Sequence, residues 1–490
     1  LVPGKMSENK EEDIQKLSTI LGVSVESINN KLGMSYVKDD TFVPIKNVAK
    51  TETQLKERAL SISGVKITTE SSRVYTLGKE ASQIIGYVQS ISAEELEENK
   101  GKGYNSNSVI GKAGIEKVYE EILRGKDGKE IYIEDENGKK VKTVAKQEVE
   151  NGKDVKLTID ANKQKQVYES LEENKGSYVA MDSKTGEIIA LVSTPSYDSN
   201  DFVLGMSTDE WKSLNEDEKN PLLNRFTKAW SPGSTFKPVT GAIAITEGKI
   251  NPKEDFGRSG LSWQKDSSWG SYMVTTLTPY NEPANMQNAL IRSDNIYFAK
   301  VALKLGYNKF MEGLNKLGFN EDINFEIGTT KSTYDTDGKI TDEVQLADSG
   351  YGQGQILVNP IHMASIYSAF VNNGNMIKPT IIYEEDKKVE YLKENAISQE
   401  AANTIKEDLI QVVESPNGTA HDAKIEGVKI GAKTGTAELK ASKDEKGEVL
   451  GWFNAFTADE SSENQLVVVS MIEDANSVGG SHYLFPKVTQ

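Results

Sequence analysis

Between residues 9 and 34, apolar side chains fall at Ile14, Leu17, Ile20, Leu21 and Val25 among charged neighbours, a spacing that predicts an amphipathic helix with a helical continuation. From 60 to 150 the pattern changes to short β-type runs broken by turns, with one helix over 114–123. The run E-D-E-N-G-K-K (134–140) reads as a hairpin turn with Asn137-Gly138 at its tip. A polar stretch, E-V-E-N-G-K-D (148–154), then marks a boundary between an N-terminal domain, 1–150, and a second domain, 151–490. Past it, 154–160 predicts a strand and 162–173 a helix, and 178–182 and 187–193 predict two strands around the turn 183–186. The middle of the chain is mainly helical, and strands return at 428–438, 450–457 and 465–473. Two strands, a helical block and three more strands predict one antiparallel sheet with helices packed on it, an α+β layout.

Composition narrows the chemistry. The chain has 490 residues, enough for two to four domains at roughly 100–200 residues each. Its 57 Lys and Arg against 74 Asp and Glu give a net charge of −17, which argues against a nucleic-acid or anionic-membrane binder, since both need a basic footprint. With no cysteine, disulfides, zinc–thiolate sites, iron–sulfur clusters and thiol nucleophiles are excluded. Three histidines (His362, His421, His482) are too few for a His-rich metal centre, so no metal or cofactor is expected and a serine nucleophile would need a different base. No apolar run approaches the roughly 18–20 residues that span a bilayer, and no signal peptide is visible. The chain opens at Leu1 without an initiator Met, so a preceding segment is expected to have been removed.

Three short motifs occur in order: Ser234-Thr235-Phe236-Lys237, Ser293-Asp294-Asn295 and Lys433-Thr434-Gly435-Thr436. Singly they carry little, because S-x-x-K also begins at Ser7, Ser35, Ser63 and Ser262, and K-T-G recurs at Lys184. Context selects one set. In S-P-G-S-T-F-K-P, Pro232-Gly233 makes a turn and a helix is predicted to run on to Gly248, with Ser234 at its N-terminus. Ser234 and Lys237 then share a face as i and i+3, and the positive end of the helix dipole favours a developing alkoxide. For Lys237 to accept the serine proton, its pKa must fall from about 10.4 to near 7; desolvation and a second cation, Lys433, would supply that shift. Ser293 is placed to relay a proton to a leaving amine and Asn295 to orient a substrate carbonyl, while Asp294 points away or caps a helix. On the predicted strand, Lys433 and Gly435 share one face and Thr434 and Thr436 the other, so a local twist is expected if all four face one cleft. Gly435 would allow close approach of a substrate backbone, the N–H groups of Ser234 and Thr436 would form an oxyanion hole, and the hydroxyls of Thr434 and Thr436 would bind a terminal carboxylate.

Other features have plainer explanations. Lys184-Thr185-Gly186 reads as a β-turn, and His362 and His421 as structural or surface residues. G-K-A-G lacks the K-[ST] of a phosphate-binding loop. G-Y-G-Q-G (350–354) is either a turn or part of the site.

With the trio in hand, the sequence resembles the class B penicillin-binding proteins over nearly its whole length. The supporting segments are G-K-A-G-I-E-K-V-Y-E-E-I-L-R-G, D-V-K-L-T-I-D, L-V-S-T-P-S-Y-D, S-D-N-I-Y-F-A-K, G-Y-G-Q-G-Q-I-L-V-N-P and K-T-G-T-A-E-L. L-V-P-G-K-M, the segment Y-V-K-D-D-T-F-V-P-I-K from Tyr36 and W-G-S-Y (269–272) are similar to the low-affinity subgroup that includes the methicillin-resistance protein, which nominates Tyr272 as a substrate-binding cleft residue. The resemblance implies a penicillin-recognising transpeptidase domain on an elongated N-terminal pedestal. It implies a serine D,D-transpeptidase in which Ser234 attacks the D-Ala-D-Ala bond of a peptidoglycan stem pentapeptide and passes the acyl group to an acceptor stem amine. β-Lactam antibiotics would acylate the same serine, with low affinity. Residue by residue, Ser234 matches the nucleophile, Lys237 the base, Ser293 and Asn295 the second motif, and Lys433, Thr434, Gly435 and Thr436 the third. No glycosyltransferase module is present, which implies a membrane-embedded glycan polymerase as partner. It also implies a place on the outer face of the bacterial cell membrane, held by an N-terminal transmembrane helix outside this chain. The family's R-G-x-I-x-D-R-N-G opening is absent, and a final helix on the sheet is expected past Gln490. A D,D-carboxypeptidase or β-lactamase, and a non-catalytic β-lactam sensor or scaffold, are the alternatives.

Overall fold

Helix α1 (Lys10–Leu21) forms because Ile14, Leu17 and Leu21 fall on one face, and Gly22, in the left-handed region at φ 63°, ends it. Ser24 then caps α2 (Val25–Leu32), its hydroxyl accepting from the Ser27 amide, and Ile28 joins the same cluster. These features come from a computed structural model, which describes residues 1–106, 108–439, 447–462 and 464–489. The chain divides into two compact units, Leu1–Val155 with Ser196–Leu223, and Lys156–Pro195 with Asn224–Gln490.

In the first unit, the helix predicted over 114–123 is two short helices, Gly114–Val118 and Glu120–Leu123, because Tyr119 leaves helical geometry at φ −105°. Strands β1 (Lys129–Glu134) and β2 (Lys140–Gln147) form an antiparallel hairpin. Asp135 closes its turn by accepting from the amides of Asn137 and Lys139. Residues 196–223 pack here because Asn200 bonds both the amide and the carbonyl of Tyr75, and Phe202 stacks on Tyr87 at 3.9 Å. A single cut near residue 150 therefore leaves this excursion out of the unit it packs with.

In the second unit, Asp160 is not the end of a strand but the N-cap of α3 (Ala161–Leu171). Residues 154–160 make one isolated bridge, Leu157 to Ile382, and single bonds such as the Thr158 amide to the Ile381 carbonyl. The alternation of Val155, Leu157 and Ile159 is present, but the segment crosses the sheet edge rather than joining a ladder. Strands β3 (Gly176–Asp182) and β4 (Ile188–Thr194) come next, joined by an Asx turn in which Asp182 accepts from the amides of Lys184 and Thr185. That turn contains the second K-T-G.

Helices α4 (Lys237–Thr246), α5 (Met286–Arg292), α6 (Asn295–Lys316), α7 (Glu343–Ser349), α8 (Pro360–Ser368) and α9 (Gln399–Glu414) fill the middle. Strands β5 (Ile430–Leu439), β6 (Glu448–Thr457) and β7 (Leu466–Ile472) complete a five-stranded sheet in the order β5-β6-β7-β3-β4, antiparallel throughout. This is the expected α+β arrangement. Trp452 and Phe453, adjacent on β6 and so on opposite faces, are both fully buried, which means both faces of the sheet are covered. Among the described residues no helix is long and apolar enough to cross a membrane.

Candidate active site

Pro232 and Gly233 lead into a 3-10 turn, Gly233–Phe236, and the α-helix α4 starts only at Lys237. Ser234 therefore sits one turn ahead of the α-helix rather than in it. Residues i and i+3 eclipse in a 3-10 turn, and Lys237 Nζ lies 2.8 Å from Ser234 Oγ. Lys237 Nζ also donates to the Ser293 carbonyl at 2.6 Å and to Ser293 Oγ at 3.0 Å.

Ser293 ends α5 in a left-handed conformation, φ 55°, and that turn aims its hydroxyl inward. Asp294 next to it caps α6, accepting from the amides of Ile296 and Tyr297 and from the Tyr280 hydroxyl at 2.7 Å. From the far side Lys433 Nζ reaches the same Ser293 Oγ at 3.0 Å and the Thr434 carbonyl at 3.1 Å. One serine hydroxyl thus lies between two buried lysines. Burial, then repulsion from Lys433, pushes the Lys237 amine well below its ordinary value, against a smaller pull from Asp294. Burial alone pushes Lys433 down to about 7.

A desolvated lysine beside a serine, with a second lysine across a shared hydroxyl, is an apparatus for activating a nucleophile without histidine. The penicillin binding protein transpeptidase domain model matches residues 176–487, and the penicillin-binding protein dimerisation domain model matches 2–157. Penicillin-binding protein 3 of Bacillus subtilis is 41% identical over 488 residues, covering 99% of this chain and 72% of the relative. The chain belongs to the class B penicillin-binding proteins. The peptidoglycan D,D-transpeptidase MrdA of Escherichia coli is 29% identical over 471 residues, covering 90% of this chain and 74% of that protein. The same fold is seen in the Helicobacter pylori PBP2 in complex with MreC, at a TM-score of 0.78 and 21% identity, covering 100% of this chain and 94% of that one.

Against that family background the remaining residues fall as follows. The ladder between β5 and β6 keeps its register from Ile430 to Leu439, so no bulge interrupts the K-T-G-T segment. β5 is the edge strand, and Thr436 is exposed on it. The Thr436 carbonyl points away from β6, with Gln353 Nε2 at 3.5 Å; in an antiparallel strand a residue's N–H and C=O face the same side, so its amide is aimed out of the sheet too. Gly435 has a different reason for being glycine than substrate approach. A Cβ there would meet Thr235 Cγ2 at 2.8 Å and the Pro232 carbonyl at 2.9 Å, so the space is filled by the turn that carries Ser234. The Thr434 hydroxyl donates to Thr419 Oγ1 at 2.9 Å, and Asn295 Nδ2 donates to the Thr275 carbonyl at 2.8 Å.

Tyr272 is engaged with protein rather than presented free: its hydroxyl donates to Asp348, as does that of Tyr351. The contributions of Thr419, Thr275 and Asp348 were not visible in the sequence, because each is joined to its motif only by folding. The two internal histidines are structural. His362 is buried between Ser332 Oγ and the Leu317 carbonyl, each 2.7 Å away, and burial holds its pKa down at about 4. His421 Nδ1 bonds the Val413 carbonyl. Among the described residues no group of His, Asp and Glu is placed to hold a metal ion.

Proposed function

We propose that this chain cross-links peptidoglycan through an acyl-enzyme on Ser234. The observation that carries the reading is the contact between a desolvated Lys237 and Ser234 Oγ at 2.8 Å. Ser234 Oγ attacks the carbonyl of the penultimate D-Ala of a stem pentapeptide, and its proton passes to the Lys237 amine. The amides of Ser234 and Thr436 hold the oxyanion, a contribution of about 10²–10³ in rate for each such donor. Lys237 and Ser293 return the proton to the departing D-Ala nitrogen as the C–N bond breaks. The acceptor stem amine then attacks the ester, gives up a proton along the same route, and Ser234 leaves with a hydrogen restored. Lys433 supplies positive potential for the substrate's terminal carboxylate, which Thr434 and Thr436 bind, and Asn295 orients the substrate amide. A β-lactam opens its ring on the same serine, and its amine stays tethered, so the adduct persists.

The decisive experiment is intact-protein mass spectrometry after incubation with benzylpenicillin. Wild type gains the mass of one whole penicillin and Ser234→Ala gains none; an equal gain in the variant places the nucleophile elsewhere. Transfer of a D-Ala-D-Ala donor to an added amine separates transpeptidation from carboxypeptidase action, in which water takes the acyl group. Acylation without any turnover would favour a sensor.

Three finer readings go with this one. Low β-lactam affinity is supported by the subgroup-like segments around Tyr36 and at 269–272, and would reflect an open cleft that is only partly populated. Slow acylation that stays slow in variants loosening the cleft would overturn that cause. A membrane-embedded glycan polymerase partner and an outer-face membrane location are supported by the chain's family, matched over both its transpeptidase and its dimerisation domain; co-purification with such a polymerase from detergent extracts tests the partner.

A further inference from the structure

Three stretches of backbone are stacked at the nucleophile, and each contact is closed by a glycine. A Cβ on Gly233 would sit 2.2 Å from the Thr436 carbonyl oxygen of β5. A Cβ on Gly352 would sit 2.0 Å from the Gly233 carbonyl oxygen, and one on Gly435 would meet the turn from the other direction. The loop 350–354, the Ser234 turn and the edge strand thus lie backbone on backbone. Two hydrogen bonds pin the first layer to the second: the Gly233 amide and the Ser231 hydroxyl both donate to the Gly352 carbonyl, at 3.0 and 3.3 Å. The loop also touches the third layer, through Gln353 Nε2 and the Thr436 carbonyl.

What fixes the loop is Asp348, the penultimate residue of α7. Its backbone carbonyl accepts from the amides of Tyr351 and Gln353, at 3.2 and 3.0 Å. Its carboxylate Oδ1 accepts from the hydroxyls of both Tyr351, inside the loop, and Tyr272, on the hairpin 262–275. That hairpin is tied to α7 a second time, where Trp269 Nε1 donates to Glu343 at 3.0 Å. A half-buried carboxylate holding two tyrosines, one of them in a loop that sets the height of the nucleophile's backbone, is more than a surface bond.

We propose that Asp348 is a positioning residue for the oxyanion hole. Through Tyr272 and Tyr351 it holds the 350–354 loop against Gly233, and the loop fixes the spacing between the Ser234 and Thr436 amides. This rests on the Ser234 acyl-enzyme reading above. Because the donors' placement rather than the binding surface is at stake, the effect falls on the chemical step. Charge is not required, only a two-bond acceptor, so asparagine serves where alanine does not.

The test is stopped-flow acylation by a chromogenic cephalosporin, resolving the dissociation constant of the pre-covalent complex from the acylation rate constant, with thermal unfolding alongside. Asp348→Ala is expected to lower the acylation rate constant about tenfold or more, short of the roughly 10²–10³ for losing a donor outright, with the dissociation constant within about threefold of wild type. Asp348→Asn is expected to stay within about threefold of wild type in both. Tyr351→Phe and Tyr272→Phe, which each remove one bond, are expected to fall between the two and carry the test if Asp348→Ala does not fold. Wild-type acylation rates in Asp348→Ala, or in both tyrosine variants, overturn the proposal. So does equal impairment of the Ala and Asn variants, or a loss of binding and of rate in step with a lowered melting temperature. Absence of acylation in the wild type would instead overturn the acyl-enzyme reading itself.

Discussion

The hairpin β1–β2 and the strand β6 are both β-structure, and their surroundings could hardly differ more. Every residue of β1 and β2 is exposed, including Ile131 at 64% and Ile133 at 53%. On β6 every residue from Val449 to Thr457 is buried. The hairpin closes its charges on its own surface, with Lys140 bonded to Glu130 and Lys146 to Glu148, exposed pairs that solvent screens and that add little to stability. The sheet region instead traps ionisable groups out of water: Lys237, Lys433, His362 and Asp408 are all buried. Burial is what converts an ordinary side chain into one that titrates in an unusual range, so the chemistry of this protein resides where packing is tightest.

The largest expected effect breaks the sheet side of that contrast at its centre. Lys237→Ala removes the base and should slow acylation by about 10²–10⁴ while the fold persists, as measured by adduct formation over time. Near-normal rates would assign the base elsewhere. Stability should divide just as sharply. Trp452→Ala should cost about 3–5 kcal/mol in denaturant unfolding, because the indole is fully buried and its N–H donates to the Ser231 carbonyl at 2.9 Å. Ile133→Ser in the hairpin should stay within about 0.5 kcal/mol. A large cost there would mean that the hairpin is covered in solution.

How much of this was legible follows the same division. The strands β3 to β7 were predicted to within a few residues, since continuous apolar runs such as V-L-G-W-F-N-A-F announce a strand buried on both faces. The hairpin turn was legible from Asn137-Gly138, but alternation in E-I-Y-I-E and K-V-K-T-V could not tell a half-buried strand from a fully exposed one. The trio was found because its spacing is a motif. Its supports were not: Gly435 is glycine because of a turn just over two hundred residues earlier in the chain, and Tyr272 meets Asp348 only through the fold. Residues 154–160 misled because an alternating segment crossing a sheet edge carries the same pattern as one within the sheet.

A smaller effect sharpens the contrast through pH. Acylation should rise as pH increases through the depressed pKa of Lys237, where the amine becomes free to accept a proton. Lys433 lowers that pKa by repulsion, so Lys433→Ala should raise it and move the acidic limb of the acylation profile to higher pH, whatever happens to the overall rate. Lys140→Ala on the hairpin should leave the limb where it is. A limb that does not move in Lys433→Ala would separate the two lysines electrostatically.

The smallest effect concerns Asp408, on the buried side of α9, where Gln287 Nε2 donates to its carboxylate at 3.1 Å. Burial, partly opposed by that bond, pushes its pKa up to about 7, against an ordinary value near 3.8. Between those two values the folded protein holds a proton that the unfolded chain has released. Stability from this group is therefore complete at pH values below about 4 and is lost progressively as pH rises to about 7, with no further change above. Asparagine keeps the acceptor for Gln287 and carries no charge to bury. The melting temperature of Asp408→Asn relative to wild type should thus grow between pH 5 and pH 7 and level off by pH 8. A difference that is flat across that range would mean that Asp408 stays ionised in the folded protein, with water reaching it between the helices.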